Sequence, residues 1–259
     1  YFERNRLPDV FARTGDAPLA VARRIEALPW VEAVEARVVE DVMLDVRGLA
    51  EPAIGRLVSV TTERPPVFNE IYLRSGRLPR AGSTDEAVVN EAFVLAHRLA
   101  IGEQVHVVVA GRRQALRVVG VGLSPEYVYT VTSSGLPDDK RFGVLWLDAR
   151  GLAALSDMEG RFNDLSVSLA RGASEPQLID VLDRILEPYG SRGAHGRDRQ
   201  MSARFVAEEL EQLENMGAFV PMLFLGVAAF LLNVVMTRLV EGQREQIAAL
   251  KALGYGNLT

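Results

Sequence analysis

The segment Asn215–Thr237, NMGAFVPMLFLGVAAFLLNVVMT, carries no charged residue. At 1.5 Å rise per residue a helix of this length reaches across the roughly 30 Å hydrocarbon core of a bilayer. A core helix in a soluble protein is usually apolar along one stripe only. Here Phe219, Met222, Leu223, Phe224, Leu225, Val227, Phe230, Leu231, Leu232, Val234 and Val235 cover every face. The segment therefore reads as a membrane span, and the rest of the chain must be placed on one side or the other. Glu208, Glu209, Glu211 and Glu214 precede it, whereas Arg238, Arg244 and Lys251 follow it. Flanking Lys and Arg stay cytoplasmic. The long N-terminal part is thus expected outside the cytoplasm and Arg238–Thr259 inside.

The part before the span is long enough for one large or two small domains with cores of their own. A net charge of −5, without a Lys/Arg cluster, gives no nucleic-acid-binding face. Cysteine is absent, which is neutral for compartment in a domain of this size. Tyr1-Phe2 followed by Glu3, Arg4 and Arg6 resembles the interfacial end of an earlier span, and Gly254–Thr259 stops in mid-element. A fragment of a larger membrane protein is the expectation.

Along the chain, Leu19, Ala22, Ile25 and Leu28 show helical spacing within 17–29, and residues 31–48 read as one long strand or two short ones. LVSVTT is a further strand, and 73–85 is a loop by composition. Ala87-Val88-Val89 is a short strand, and Asn90 is placed to cap a helix from Glu91 to Leu99, closed by Gly102. Strands Gln104–Ala110 and Gln114–Leu123 flank a tight turn at Gly111-Arg112. A loop follows from Pro125 to Lys140. Phe142–Asp148 is a buried strand, Ala149–Met158 a helix and Asn163–Leu169 a strand. Ser174 with Gln177 forms a capping box for a helix burying Leu178, Val181, Leu182 and Ile185. Ser191–Arg199 reads as a linker, after which a helix from Ser202 runs into the span. The fold class is α+β: a split α/β subdomain (1–70 and 141–200), a β-rich insert (71–140), a stalk and transmembrane helix (201–240), and a tail (241–259). Pro221 removes the amide that would bond the Gly217 carbonyl, so a stalk bend is expected between Gly217 and Pro221.

Catalytic and cofactor motifs do not emerge. No GxxxxGK[ST] is present. Gly120 and Gly122 in VVGVGLSPE are better explained by a strand bulge than by a dinucleotide fingerprint. His97, His106 and His195 have no metal-ligand spacing, Asp138-Asp139 reads as turn carboxylates, and GLS at 122–124 is not GxSxG.

The tail is more specific. In QREQIAALKALGYG, Ile247, Leu250 and Leu253 lie on one helical flank, Ala248, Ala249 and Ala252 keep the rest small, and Gly254 is placed as a C-cap. Such a helix at the cytoplasmic end of a span suits docking into a groove of another protein. A plain helix continuation with snorkelling Arg and Lys is the alternative. The run from Arg244 through Glu245, Ile247, Leu250 and Lys251 to Gly254 resembles the R-x-x-E-I-x-x-L-K-A-L-G motif of FtsX-like ABC transporter permeases, except that Gln246 separates Glu245 from Ile247. Ser75–Pro79, Glu86–Phe93, Ile101–Val105 and Val118–Val121 resemble, in order, segments of the MacB-type periplasmic core domain.

That resemblance implies a permease subunit in a bacterial inner membrane, multi-pass in its full length, with the large domain in the periplasm or extracytoplasmic space. It implies no enzyme activity and no cofactor in this chain. ATP would be bound by a cytoplasmic ATPase partner, a second permease copy would complete a dimer, and membrane lipid would surround the span. Arg244, Glu245, Ile247, Leu250, Lys251, Leu253 and Gly254 would form the coupling helix, and motion would pass along the stalk by mechanotransmission. A membrane-anchored sensor or binding module without transport activity is the other reading.

Overall fold

The structure, a computed structural model, describes residues 7–46, 53–63, 67–127, 138–199 and 201–253. It divides into two units, Tyr1–Phe205 and Val206–Thr259. In chain order the first unit contains β1 (Val10–Pro18), α1 (Leu19–Glu26), β2 (Val31–Arg37), β3 (Val39–Asp45), β4 (Ala53–Val60), β5 (Tyr72–Gly76), β6 (Glu86–Asn90), α2 (Glu91–His97), β7 (Gln104–Val109), β8 (Arg112–Leu123), β9 (Phe142–Asp148), α3 (Ala149–Leu155), β10 (Arg161–Leu169), α4 (Glu175–Leu186) and β11 (Ala194–Gly196). The architecture is α+β.

Strands β11-β1-β10-β2 form the first sheet, with every neighbouring pair antiparallel. Two β-α-β halves, β1-α1-β2 and β10-α4-β11, thus interleave so that β10 lies between β1 and β2, the split, ferredoxin-like arrangement. Its core joins Val10, Ala12, Phe162, Leu165 and Val167 of the sheet to Ala22 and Ile25 of α1 and Leu178, Leu182 and Leu186 of α4. The helical spacing of those apolar residues is what lets each helix lay one stripe on the sheet.

The second sheet has the order β5-β8-β6-β9-β4-β3-β7, and β7 also pairs with β8. Six strands therefore close on themselves, with β5 attached outside the ring to β8. Strand β8 makes this possible by its length: Arg112–Arg117 pairs with β7, while Arg117–Gly122 pairs with β6. Opposite Ala87 and Val88 its register jumps from Val118 to Gly120, so Val119 is a bulge residue, as the glycines of VVGVG lead one to expect. A Cβ on Gly120 would lie 2.5 Å from the Arg77 carbonyl, so only glycine fits there. The bend that a bulge introduces helps carry one strand between two partners.

This pairing moves the subdomain boundaries expected at 70/71 and 140/141. Strands β3, β4 and β9 belong to the second sheet, and Leu152 of α3 packs in its core. The insertion into the first sheet therefore runs from Val38 to Gly160, between β2 and β10. The reason is visible in β9, which is buried at every position of FGVLWLD. A run apolar on both faces marks a central strand without saying in which sheet.

Of the two readings of residues 31–48, two short strands are what forms, in different sheets and broken at Val38. Other local expectations are revised. Ser191–Arg199 contains β11, and the loop 73–85 contains most of edge strand β5. Strand β1 carries no clean alternation because its register shifts between Arg13 and Ala17. Asn90 does not cap α2; its Oδ1 accepts from the Val144 amide, and Arg98 in the left-handed region (φ 54°) ends the helix before Gly102. Ser174 makes no side-chain capping bond to α4.

The segment Ser75–Pro79 gains a structural role. The Gly76 φ of 79° and a virtual Cβ only 2.3 Å from the Val119 carbonyl demand glycine. The turn delivers Arg77 in a bidentate pair onto the buried Glu86, which also accepts from the Arg80 amide and from Arg117. The Arg77 hydrogen bonds hold the Glu86 carboxyl down at about 2, against 4.5 ordinarily. A carboxylate whose folded pKa is depressed stabilises the fold above its unfolded pKa and loses that contribution as pH falls toward the folded one. Stability is therefore expected to drop between about pH 4.5 and 2, and Glu86→Gln is expected to flatten this part of the profile. Urea unfolding of both proteins across that range checks it, and parallel profiles would count against the assignment.

Candidate functional site

Two regions concentrate polar or exposed chemistry. One is a buried polar junction at the point where the chain leaves the first sheet for the second. Arg37 ends β2, and the next residue, Val38, donates its amide to Ser59 Oγ of β4. The Arg37 guanidinium is buried and donates to Asp164, its register partner on β10, at 2.6 and 2.9 Å. It also donates bidentately to Glu126 at 2.6 and 3.0 Å. Glu126 sits in a short helical turn, Pro125–Tyr127, just after β8, and accepts a further bond from Asn69 Nδ2 at 2.8 Å. Asn163 Oδ1 accepts from the Val39 amide and its Nδ2 donates to the Val39 carbonyl. One arginine thus ties both sheets together.

Burial alone would lower the Arg37 pKa. The charges of Asp164 and Glu126 outweigh it and hold the guanidinium well above the ordinary arginine value. Tyr127 is raised well above the tyrosine range, chiefly by burial and then by the Glu126 charge. Beside this network lies a cavity of about 70 Å³, whose lining includes Glu35, Arg37, Asn69, Ser124, Glu126 and Trp146. Asn69 Oδ1 and Ser124 Oγ are buried without a hydrogen-bond partner.

These junction residues gave no sign in the sequence. Arg37 is one arginine in AEARVVE, with Glu126 89 residues away and Asp164 127 away. Among the described residues, no group of three or more His, Cys, Asp or Glu is placed to hold a metal. His97 Nε2 lies 2.8 Å from the Lys140 carbonyl, and His195 stacks on Phe11. Asp138 accepts from the Lys140 and Arg141 amides, the turn role expected of it.

The second region is the C-terminal unit. Helix α5 (Met201–Gly242) is continuous, with Pro221 inside it. Pro221 does not end the helix, although it has no amide to give the Gly217 carbonyl. Within α5, Pro221–Leu239 is long and apolar enough to cross a membrane, and none of it is buried in the protein. Thr237 Oγ1 bonds the Asn233 carbonyl one turn back, which satisfies its hydroxyl within the helix.

The helix breaks at Gln243, and α6 (Arg244–Ala252) follows as a separate element. Arg244 opens it against the helix dipole, whereas Glu245 in its first turn and Lys251 in its last favour the dipole. Leu250 and Leu253, three residues apart, are 51% and 77% exposed. Leu253 is the C-cap residue, Ile247 lies within α6, and Gly254 lies outside the described residues.

No family model matches the sequence, and no curated protein matches it. Solved structures do. The periplasmic region of MacB from Actinobacillus actinomycetemcomitans is 11% identical, with a TM-score of 0.46 over 81% of this chain and 95% of that one. The extracellular domain of the noncanonic ABC-type transporter YknZ from Gram-positive bacteria is 12% identical, with a TM-score of 0.44 over 73% of this chain and 98% of that one. A domain assigned to a permease protein of Porphyromonas gingivalis is 14% identical, with a TM-score of 0.44 over 75% of this chain and 92% of that one. The chain is thus similar to periplasmic or extracellular domains of ABC-type and permease proteins.

Proposed function

We propose that this chain is part of the permease subunit of an ABC transporter. Its α+β unit lies outside the cytoplasm, 221–239 spans the membrane, and α6 is the cytoplasmic coupling helix seated in a cleft of an ATPase subunit. A second permease copy and lipid would complete the assembly, and ATP chemistry belongs to the partner. The observation that carries this reading is the break at Gln243, which ends the long apolar helix and begins a short one whose Leu250 and Leu253 are exposed. A simple anchor has no use for such a second helix. The positive flank at Arg238, Arg244 and Lys251 supports a cytoplasmic side for α6. The resemblance of 244–254 to the permease motif supports the same assignment.

A short helix docked through few apolar anchors depends heavily on each, and a charge on a central anchor is left buried and unpaired in the complex. Leu250→Glu is expected to weaken ATPase binding by about 2 kcal/mol or more, roughly 30-fold, and to uncouple transport. Arg244→Ala, at the rim, is expected to cost less. Co-purification of the full-length membrane protein with its ATPase, with ATP turnover, measures both. Retention of complex and transport by Leu250→Glu would favour the anchored binding module instead.

A further inference from the structure

The cavity at the sheet junction is not used by the coupling reading, and its wall has a definite chemistry. Asn69 is 6% exposed and Ser124 4%. Asn69 Nδ2 is committed to the Glu126 carboxylate, so the amide orientation is set and Oδ1 must present an acceptor elsewhere. That Oδ1 and the Ser124 hydroxyl both belong to cavity-lining residues and have no partner. Unpartnered buried polar atoms are uncommon in folded proteins and call for an occupant. Asn69 itself holds a left-handed backbone (φ 50°), which asparagine adopts more readily than other non-glycine residues.

Among the described residues that line the cavity, carboxylates outnumber cations. Glu35, Glu70 and Glu126 line the cavity with one cation among the described lining residues, Arg37, whose donors are engaged by Glu126 and Asp164. Phe68, Ile71 and Trp146 supply an apolar side. A guest must therefore donate hydrogen bonds, tolerate or prefer a negative field, and carry a small apolar body. The volume of about 70 Å³ is several times the ~10–15 Å³ that one water requires, which leaves room for a few non-hydrogen atoms.

We propose that this junction cavity is a binding site for the ammonium end of a small primary amine, with Asn69 Oδ1 and Ser124 Oγ accepting its N–H groups and Trp146 against its carbon stem. The site lies outside the coupling helix and does not depend on the transport assignment. Because it adjoins the Arg37 network that joins the two sheets, a bound amine would stiffen that joint.

The test uses the full chain in an uncharged detergent with Trp30→Phe, so that Trp146 is the one remaining tryptophan. Ethylammonium chloride is titrated against sodium chloride at equal ionic strength, and against 1-propanol as a neutral counterpart. A saturable Trp146 signal with ethylammonium alone is expected, with a Kd of about 1 mM or weaker, the limit for so few atoms. Ser124→Ala breaks no hydrogen bond of the free protein and is expected to weaken the amine about tenfold. Ser124→Leu, which fills the space, is expected to abolish the signal. Thermal unfolding of both variants verifies that they fold. Equal responses to salt or propanol, no saturation, or an undiminished Kd in Ser124→Ala would mean that the cavity holds water only, and would overturn the proposal.

Discussion

Replacing Arg37 by methionine is expected to destabilise the α+β unit by roughly 3–5 kcal/mol, a large part of the ~5–15 kcal/mol that holds a domain together. The size follows from what remains. Asp164 and Glu126 are each about nine-tenths buried, and without the guanidinium both are left in a poorly solvating site with their main partner gone. Asn69 still donates to Glu126, and Arg13 lies 3.6 Å from Asp164, so neither carboxylate is wholly abandoned. Those partners favour the lower end of the range. Removing the whole set behaves differently. A triple variant, Arg37→Met with Glu126→Leu and Asp164→Leu, is expected to recover most of the loss, because a buried ionic cluster is often no better than apolar residues of similar volume. Urea unfolding of the full chain in detergent, followed by tryptophan fluorescence, gives all the values. A single variant within 1 kcal/mol of wild type would show that the junction is not held by these charges.

Phe230→Arg is expected to cost roughly 3 kcal/mol of membrane insertion, a shift of more than a hundredfold in the inserted fraction at equilibrium. The midpoint of Pro221–Leu239 falls at Phe230, where an arginine is furthest from either interface. At about 1.5 Å per residue the segment is roughly 28 Å long, so little length remains for the side chain to reach water from its centre. The same substitution at Met222, one residue inside the end of the segment, is expected to cost much less because its side chain can snorkel. Glycosylation mapping of the full-length protein distinguishes the two positions. Equal insertion of wild type and Phe230→Arg would return α5 to the status of an exposed apolar helix without a bilayer.

What could be read from the chain was local. The 104–123 hairpin announced itself through alternation and a glycine, and the turn came out one residue early, at Ala110 and Gly111 with φ of 46° and 73°. The amphipathic helices α1 and α4 were legible because their apolar residues keep helical spacing. Sheet membership was not, because β9 of the second sheet and β10 of the first lie close in sequence, separated by one helix. Nothing in their composition says that one closes a ring and the other returns to β1 and β2. The tail helix was legible for the same local reason as α1, whereas the junction around Arg37 was hidden. A buried arginine is recognised by its partners, and these lie on strands and turns that only the folded chain brings near. Asn90 teaches a related lesson: a residue suited to capping is taken by a tertiary partner, here the Val144 amide, when the fold brings one near.

The position of the ring within the first sheet has an entropic consequence. Pairing β2 with β10 closes a loop of 127 residues between Arg37 and Asp164. Once the ring is formed, however, β4 holds its two ends close, since Val58 is the register partner of both Val39 of β3 and Trp146 of β9. The outer strands then meet across an effective loop on the order of ten residues, which lowers the closure cost by about 2 kcal/mol under logarithmic scaling. Non-local sheets fold slowly because such closures come before the contacts that reward them. A pre-formed ring turns the long-range pairing of β2 with β10 into something close to a hairpin.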